Sequence, residues 1–313
     1  MRARRARTTQ EPASFRPEKT ALEHALFKSR DTRKLTEAID QLRQNGNFKM
    51  LELVSKWINQ TTQLAVSTTS NHFTSCQFNG KIYDKAGRAI NFQSAIPLDK
   101  FTPDFKKQTA FTFAILFKLY SLTPFFSCLW NKQFVFFKSK TAGQIGNFIF
   151  LNLENKMTFG SEAYHEIGHA IYDDAVRMAA QQNQTAVSLV ENWNEIYSIA
   201  LEKTLYTLVK DSNFPGSNPT YGHPQDTPSE LFASSINAFC LHTNAFAKAI
   251  QSAKSQDEQR FGRLIWSFLR DELFFGKTFM ARDPFKDISW RDELRYFAQD
   301  SDIAEMLEIF PGF

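Results

Sequence analysis

The stretch SEAYHEIGHAIYDDA, residues 161–175, constrains this chain more than any other. It carries His165, Glu166 and His169 in the order H-E-x-x-H. Read as a helix, it places residues four apart one above the other on nearly the same face. His165 and His169 then converge on one point, each offering a nitrogen at the ~2.0–2.1 Å that zinc takes. Glu166 projects about 100° round the helix. It flanks such an ion rather than completing its shell, where it can take a proton from water whose pKa the metal lowers toward about 7. Gly168 and Ala170 keep the helix slim, which lets it pack closely under a substrate cleft. The competing reading is an ordinary amphipathic helix that carries two histidines by chance.

A catalytic zinc takes three protein ligands and keeps one position open. The segment AIYDDAVRMAAQQ that follows the motif contains no histidine, and Cys76 and Cys128 lack the surroundings of a cysteine ligand. An acid remains. Glu191 and Glu195 in ENWNEIYSIALE are two candidates, at a spacing close to that of thermolysin-like enzymes. Glu230 in TPSELFASS is the third. Glu230 also fits a capping box, with Thr227 as N-cap, Pro228 at N1 and Glu230 at N3. A capping Glu turns back toward its own helix end rather than out to a metal. Asp173, four residues beyond His169, shares its face and is placed to accept the outer N–H of a ligating imidazole.

The rest of the chain bounds these readings. Its 313 residues, 42% of them hydrophobic and 22% charged, suit a soluble globular protein with a sizeable core, and 32 phenylalanines predict a core built from phenyl rings. The net charge of +4 matches the four arginines of MRARRARTTQ, so the body is near neutral and carries no nucleic-acid footprint. Three scattered cysteines, Cys76, Cys128 and Cys240, make neither a disulfide framework nor a zinc site and suit a reducing compartment such as the cytosol. The basic start is followed by TTQEPASFRPEKT rather than an apolar run, so no secretory signal peptide is expected. Residues 111–130 are interrupted by Lys118, Ser121, Thr123 and Pro124, and read as a buried helix ending before Pro124 rather than a membrane span.

Along the chain, residues 1–18 read as a disordered basic tail and 19–60 as a helical N-terminal region. SCQFNGKIYDKAGRAINFQ suggests short strands, and QFVFFKSK and NFIFLNLEN two more, joined by the turn TAGQIG. Helices follow from the motif onward, through 186–208 and the segment after Pro228, and residues 256–313 form a charged, aromatic helical extension.

HEIGHA, then a Tyr-Gly loop, then a Glu heading an F-A-rich helix, together resemble the catalytic domain of the anthrax lethal factor family and of Pro-Pro endopeptidases. The likeness covers about residues 130–250. It implies an α+β fold: a zincin-like metallopeptidase domain over 61–255, with a small mixed sheet, an edge strand and an active-site helix. The extension packs on that domain. The resemblance also implies Glu230 as third zinc ligand and Tyr221 as the residue that stabilises the oxyanion. Tyr221 lies two positions further from Glu230 than the family layout predicts. The expected activity is a zinc-dependent endopeptidase that hydrolyses a protein substrate. By resemblance it is a bacterial toxin or effector, exported by a specialised secretion system. A catalytically inert zincin scaffold is the alternative. NFIFLNLEN is expected to supply the edge strand, at Phe148, Ile149, Phe150 and Leu151, on which an extended substrate pairs.

Overall fold

The computed structural model describes residues 115, 116, 118–137, 142–146, 148–152, 159–217 and 222–299, together with positions 37, 41, 42, 45, 82, 83, 89 and 90. The basic tail lies outside these residues, as does the chain after position 299. Of the N-terminal region, Gln41 and Leu42 are helical, and the N–H of Asn45 donates to the Gln41 carbonyl.

Among the described residues the fold is mostly helical, with two small sheets, and is α+β in class. Strands β1 (Ile82–Tyr83) and β2 (Ala89–Ile90) form an antiparallel pair. Strands β3 (Gln133–Phe137), β4 (Gly143–Ile145) and β5 (Phe148–Asn152) form the second sheet. Its order is β3-β5-β4, with β3 parallel to β5 and β4 antiparallel to it. The stretch expected to be a plain turn thus contains a strand. Pairing with β5 organises those three residues, and Gly146, at φ +56°, starts the tight return. On β5, Ile149, Phe150 and Leu151 are all buried. A continuous apolar run of this kind belongs to a strand covered on both faces.

Before the sheet, the described helical residues between 115 and 121 end ahead of Pro124, as its restriction on the preceding residue requires. Ile115, Leu116, Leu119, Leu122, Phe125 and Phe126 are all core. No helix among the described residues is long and apolar enough to cross a membrane.

Helix α1 (Phe159–Ala180) runs through the middle of the molecule, and residues 161–172 are buried without a break. A helix buried all round must satisfy its polar side chains inside the protein. Asp174 shows how: its carboxylate accepts from the Tyr120 hydroxyl at 2.7 Å, the Lys132 ammonium at 2.9 Å and Arg177 at 2.7 Å. Helix α2 (Gln184–Glu202), capped by the Asn183 side chain, returns alongside and buries Ala186, Leu189, Trp193, Ile196 and Ala200. Helix α3 (Pro228–Ile236) crosses α1 and runs on into a π turn, Asn237–Leu241. Helices α4 (Thr243–Ser252), α5 (Gln256–Phe268) and α6 (Trp290–Gln299) complete the fold, α5 with a Ser255/Glu258 capping box.

One core joins the extension to the rest. Phe268 of α5 lies 5.5 Å from Trp193 of α2, and Trp266 lies 5.0 Å from Phe239 in the π turn after α3, ring centre to ring centre. Phenyl rings dominate this core, as the composition predicts.

Candidate metal centre

His165 and His169 sit one turn apart on α1, and both are buried. Their Nε2 atoms are 3.0 Å apart, with the rings edge to face at 75°. The third member is Glu230, whose Oε2 lies 3.3 Å from His165 Nε2 and 3.4 Å from His169 Nε2. These are the described residues that group as metal ligands. The triangle fits a tetrahedral ion. Ligands at ~2.0–2.1 Å and tetrahedral angles stand about 3.3–3.4 Å from one another, close to all three separations here.

The four residues TPSE deliver Glu230 there. Thr227 caps α3 by accepting from the Glu230 backbone N–H at 3.1 Å, and Pro228 takes the first turn, where no N–H is needed. The cap thus uses the backbone of Glu230 and leaves its carboxylate for the imidazoles. Glu191 and Glu195 are exposed on α2 and do not belong to the group of possible metal ligands among the described residues. Helix α2 supports the site instead: the Trp193 indole N–H donates to the Pro228 carbonyl at 2.9 Å, and the Tyr197 hydroxyl to the Gln225 carbonyl at 2.8 Å. Replacing Trp193 with Phe is expected to cost about 1–2 kcal/mol through the lost donor and smaller ring. Thermal unfolding with metal analysis checks it: the melting temperature falls and bound zinc is retained.

Each imidazole has a polar group close to its outer nitrogen. His169 Nδ1 is 2.7 Å from the Ser229 hydroxyl, and His165 Nδ1 is 3.2 Å from Asp211 Oδ2. With Nδ1 as the N–H, each ring turns its Nε2 lone pair toward the point between the histidines and Glu230. This corrects the expectation for Asp173. It is part-exposed, and the positions it was expected to fill belong to Ser229 and Asp211. Ser229 stood beside the ligand in sequence, a usable signal. Asp211, in a polar loop remote from the motif, offered none.

Electrostatics match this geometry. Burial disfavours charge on His165, but the Asp211 carboxylate and the bond to Glu230 outweigh it and lift its pKa well above the ordinary histidine value. Burial likewise opposes ionisation of Glu230 and Asp211, yet both histidines hold the Glu230 carboxyl, and His165 with Ser234 and Asn237 the Asp211 carboxyl, below the usual range. The group is built to hold positive charge between the imidazoles and the carboxylate.

Gly168, between the ligands, lies against α3 rather than a cleft. A Cβ there would meet the Ala233 Cα at 2.7 Å. The small residue is what lets the helix that carries both histidines touch the helix that carries Glu230.

Glu166 is on the same helix and is buried. Tyr221 lies outside the described residues. Its neighbour Gly222 is buried against Asp211, and His223 is exposed. His242 stacks on Phe214 with centroids 5.1 Å apart.

The strand prediction needs correcting. Phe148, Ile149, Phe150 and Leu151 form β5, whose two flanks are taken by β3 and β4, so β5 is no edge. Among the described residues, the antiparallel edge is β4. No family model, curated protein or solved structure matches the chain.

Proposed function

We propose that this chain is a zinc-dependent endopeptidase acting on a protein substrate. The observation that carries the reading is the His165–His169–Glu230 triangle, its separations close to those of a tetrahedral ion's ligands. Two imidazoles and one carboxylate are a donor set that suits zinc and leaves a position for water or substrate. A zinc ion held there supplies Lewis acidity, polarising a carbonyl oxygen and bringing the pKa of water toward about 7.

The chain's own residues do the rest. Glu166, buried beside His165, accepts the proton of the attacking water and hands it to the departing amine. Ser229 and Asp211 hold the imidazoles in orientation. Tyr221 donates to the carbonyl oxygen as its charge grows. Strand β4 replaces β5 as the strand that pairs with an extended substrate. The lethal factor-like layout extends the proposal to an exported effector that cleaves a host protein.

Two measurements test it. Purified protein is expected to carry one zinc per chain, and Glu166→Gln to keep that zinc while peptide hydrolysis falls by about 10²–10⁴-fold. Comparing new protein N-termini made in a proteome by wild type and by Glu166→Gln identifies the substrate. Matching sets from the two proteins, with zinc bound in both, would favour an inert scaffold.

A further inference from the structure

We propose that Asp211 is the positioning residue of the metal centre, fixing His165 and coupling it to the chain segment that begins at Gly222. The inference rests on the metal reading above. Asp211 opens a short 3-10 turn, Asp211–Asn213, after α2, and is fully buried. A carboxylate in that position is costly unless each oxygen finds a donor. Oδ2 accepts from the Ser234 hydroxyl at 2.6 Å and lies 3.2 Å from His165 Nδ1, while Oδ1 accepts from the Asn237 amide. Its partners thus come from α1, from α3 and from the π turn that continues α3.

The network reaches further. The Asn237 amide also donates to the Ser161 hydroxyl at 2.7 Å, and Ser161 and Ser217 hydroxyls are 2.9 Å apart. The first turn of α1, the end of α3 and the segment 211–217 are therefore tied through one carboxylate. Asn237 leads a π turn, an irregularity that recurs at functional sites in helical proteins.

Gly222 completes the arrangement. It adopts φ +79°, and a Cβ there would collide with Asp211 Oδ2. Only a glycine lets the backbone close over the carboxylate. The segment following position 221 and the Asp211 carboxylate cannot shift independently, and the carboxylate in turn faces His165. A displacement on the loop side is transmitted to a metal ligand without any contact to the metal.

The test is zinc affinity by chelator competition, with the visible spectrum of the cobalt-substituted protein as a readout of ligand geometry. Asp211→Asn keeps the volume and removes the charge-assisted acceptor. It is expected to weaken zinc binding about 10–100-fold and to change the cobalt bands. Gly222→Ala alters neither a ligand nor Asp211, and is expected to move both readouts in the same direction. Asp174→Asn, on α1 but facing Tyr120 and Lys132, serves as the structural comparison: it lowers the melting temperature and leaves cobalt bands as in wild type. Wild-type affinity and spectrum in Asp211→Asn would overturn the proposal while leaving the metal centre intact. If Asp211→Asn does not fold, the same result in Gly222→Ala overturns the coupling. A wild-type protein that takes up no zinc removes the metal reading, and this inference falls with it.

Discussion

Glu230→Gln protein is expected to be purified without zinc, while Glu191→Gln and Glu195→Gln retain the wild-type content. The substitution is selective because Glu230 has two separable tasks. Its backbone N–H is held by Thr227, and that bond survives in the variant, so α3 still starts where it does. Its carboxylate faces both imidazole Nε2 atoms, and only that is lost. A neutral amide is a poor partner for a divalent cation and cannot offset the charge the two histidines concentrate. Loss of an outer partner already weakens metal binding by about 10–100-fold, and loss of a direct donor must exceed it. A second readout is thermal. Zinc at about 1,000 times its dissociation constant stabilises a protein by about 4.1 kcal/mol, so wild type should melt higher with zinc than with chelator. The Glu230→Gln curves should nearly coincide. Stoichiometric zinc in that variant, or its loss from Glu195→Gln instead, would refute the assignment.

The parts of this site that could be read from the sequence are those governed by local periodicity. His165 and His169 converge because a helix places residues four apart together, and no tertiary knowledge is needed. TPSE offered both a cap and a candidate ligand position; the cap uses the backbone of Glu230, while its carboxylate lies against both imidazoles. Asp211 and Ser229 were out of reach for another reason. Their roles arise where helices cross, which no spacing within either segment records. On α1, Asp173 and Asp174 differ by one position, which turns a side chain by about 100°. The buried acid is Asp174, and it faces Tyr120 and Lys132 rather than the histidines. For β5, the run FIFLN is apolar in all but its last residue. Continuous apolar character marks a strand enclosed on both faces, whereas β4 is too short and too polar to declare itself before pairing with β5.

Gly168→Ala is expected to abolish zinc binding although it touches no ligand. Helix propensity alone favours the change, since Ala is better than Gly in a helix interior by about 1 kcal/mol. Packing opposes it. The new methyl would sit 2.7 Å from the Ala233 Cα, with Ile236 Cβ at 3.2 Å and Ala233 Cβ at 3.3 Å. A Cα is backbone and has no rotamer by which to retreat, so α1 and α3 must separate, a strain that typically costs about 1–3 kcal/mol. Ala233 is one turn from Ser229 and Glu230 on the same helix. Moving α3 outward by several tenths of an ångström therefore carries Glu230 and Ser229, the partner of His169, away together. Metal sites tolerate departures of only about 0.2 Å in ligand distance, so the triangle opens beyond what an ion can span. The double variant Gly168→Ala/Ala233→Gly sharpens the argument. Removing the Ala233 methyl relieves the 3.3 Å contact and leaves the 2.7 Å contact to Cα, so zinc binding should not return. A Gly168→Ala protein that folds, binds zinc with wild-type affinity and shows an unchanged cobalt spectrum would mean that the crossing of α1 and α3 does not set the ligand geometry.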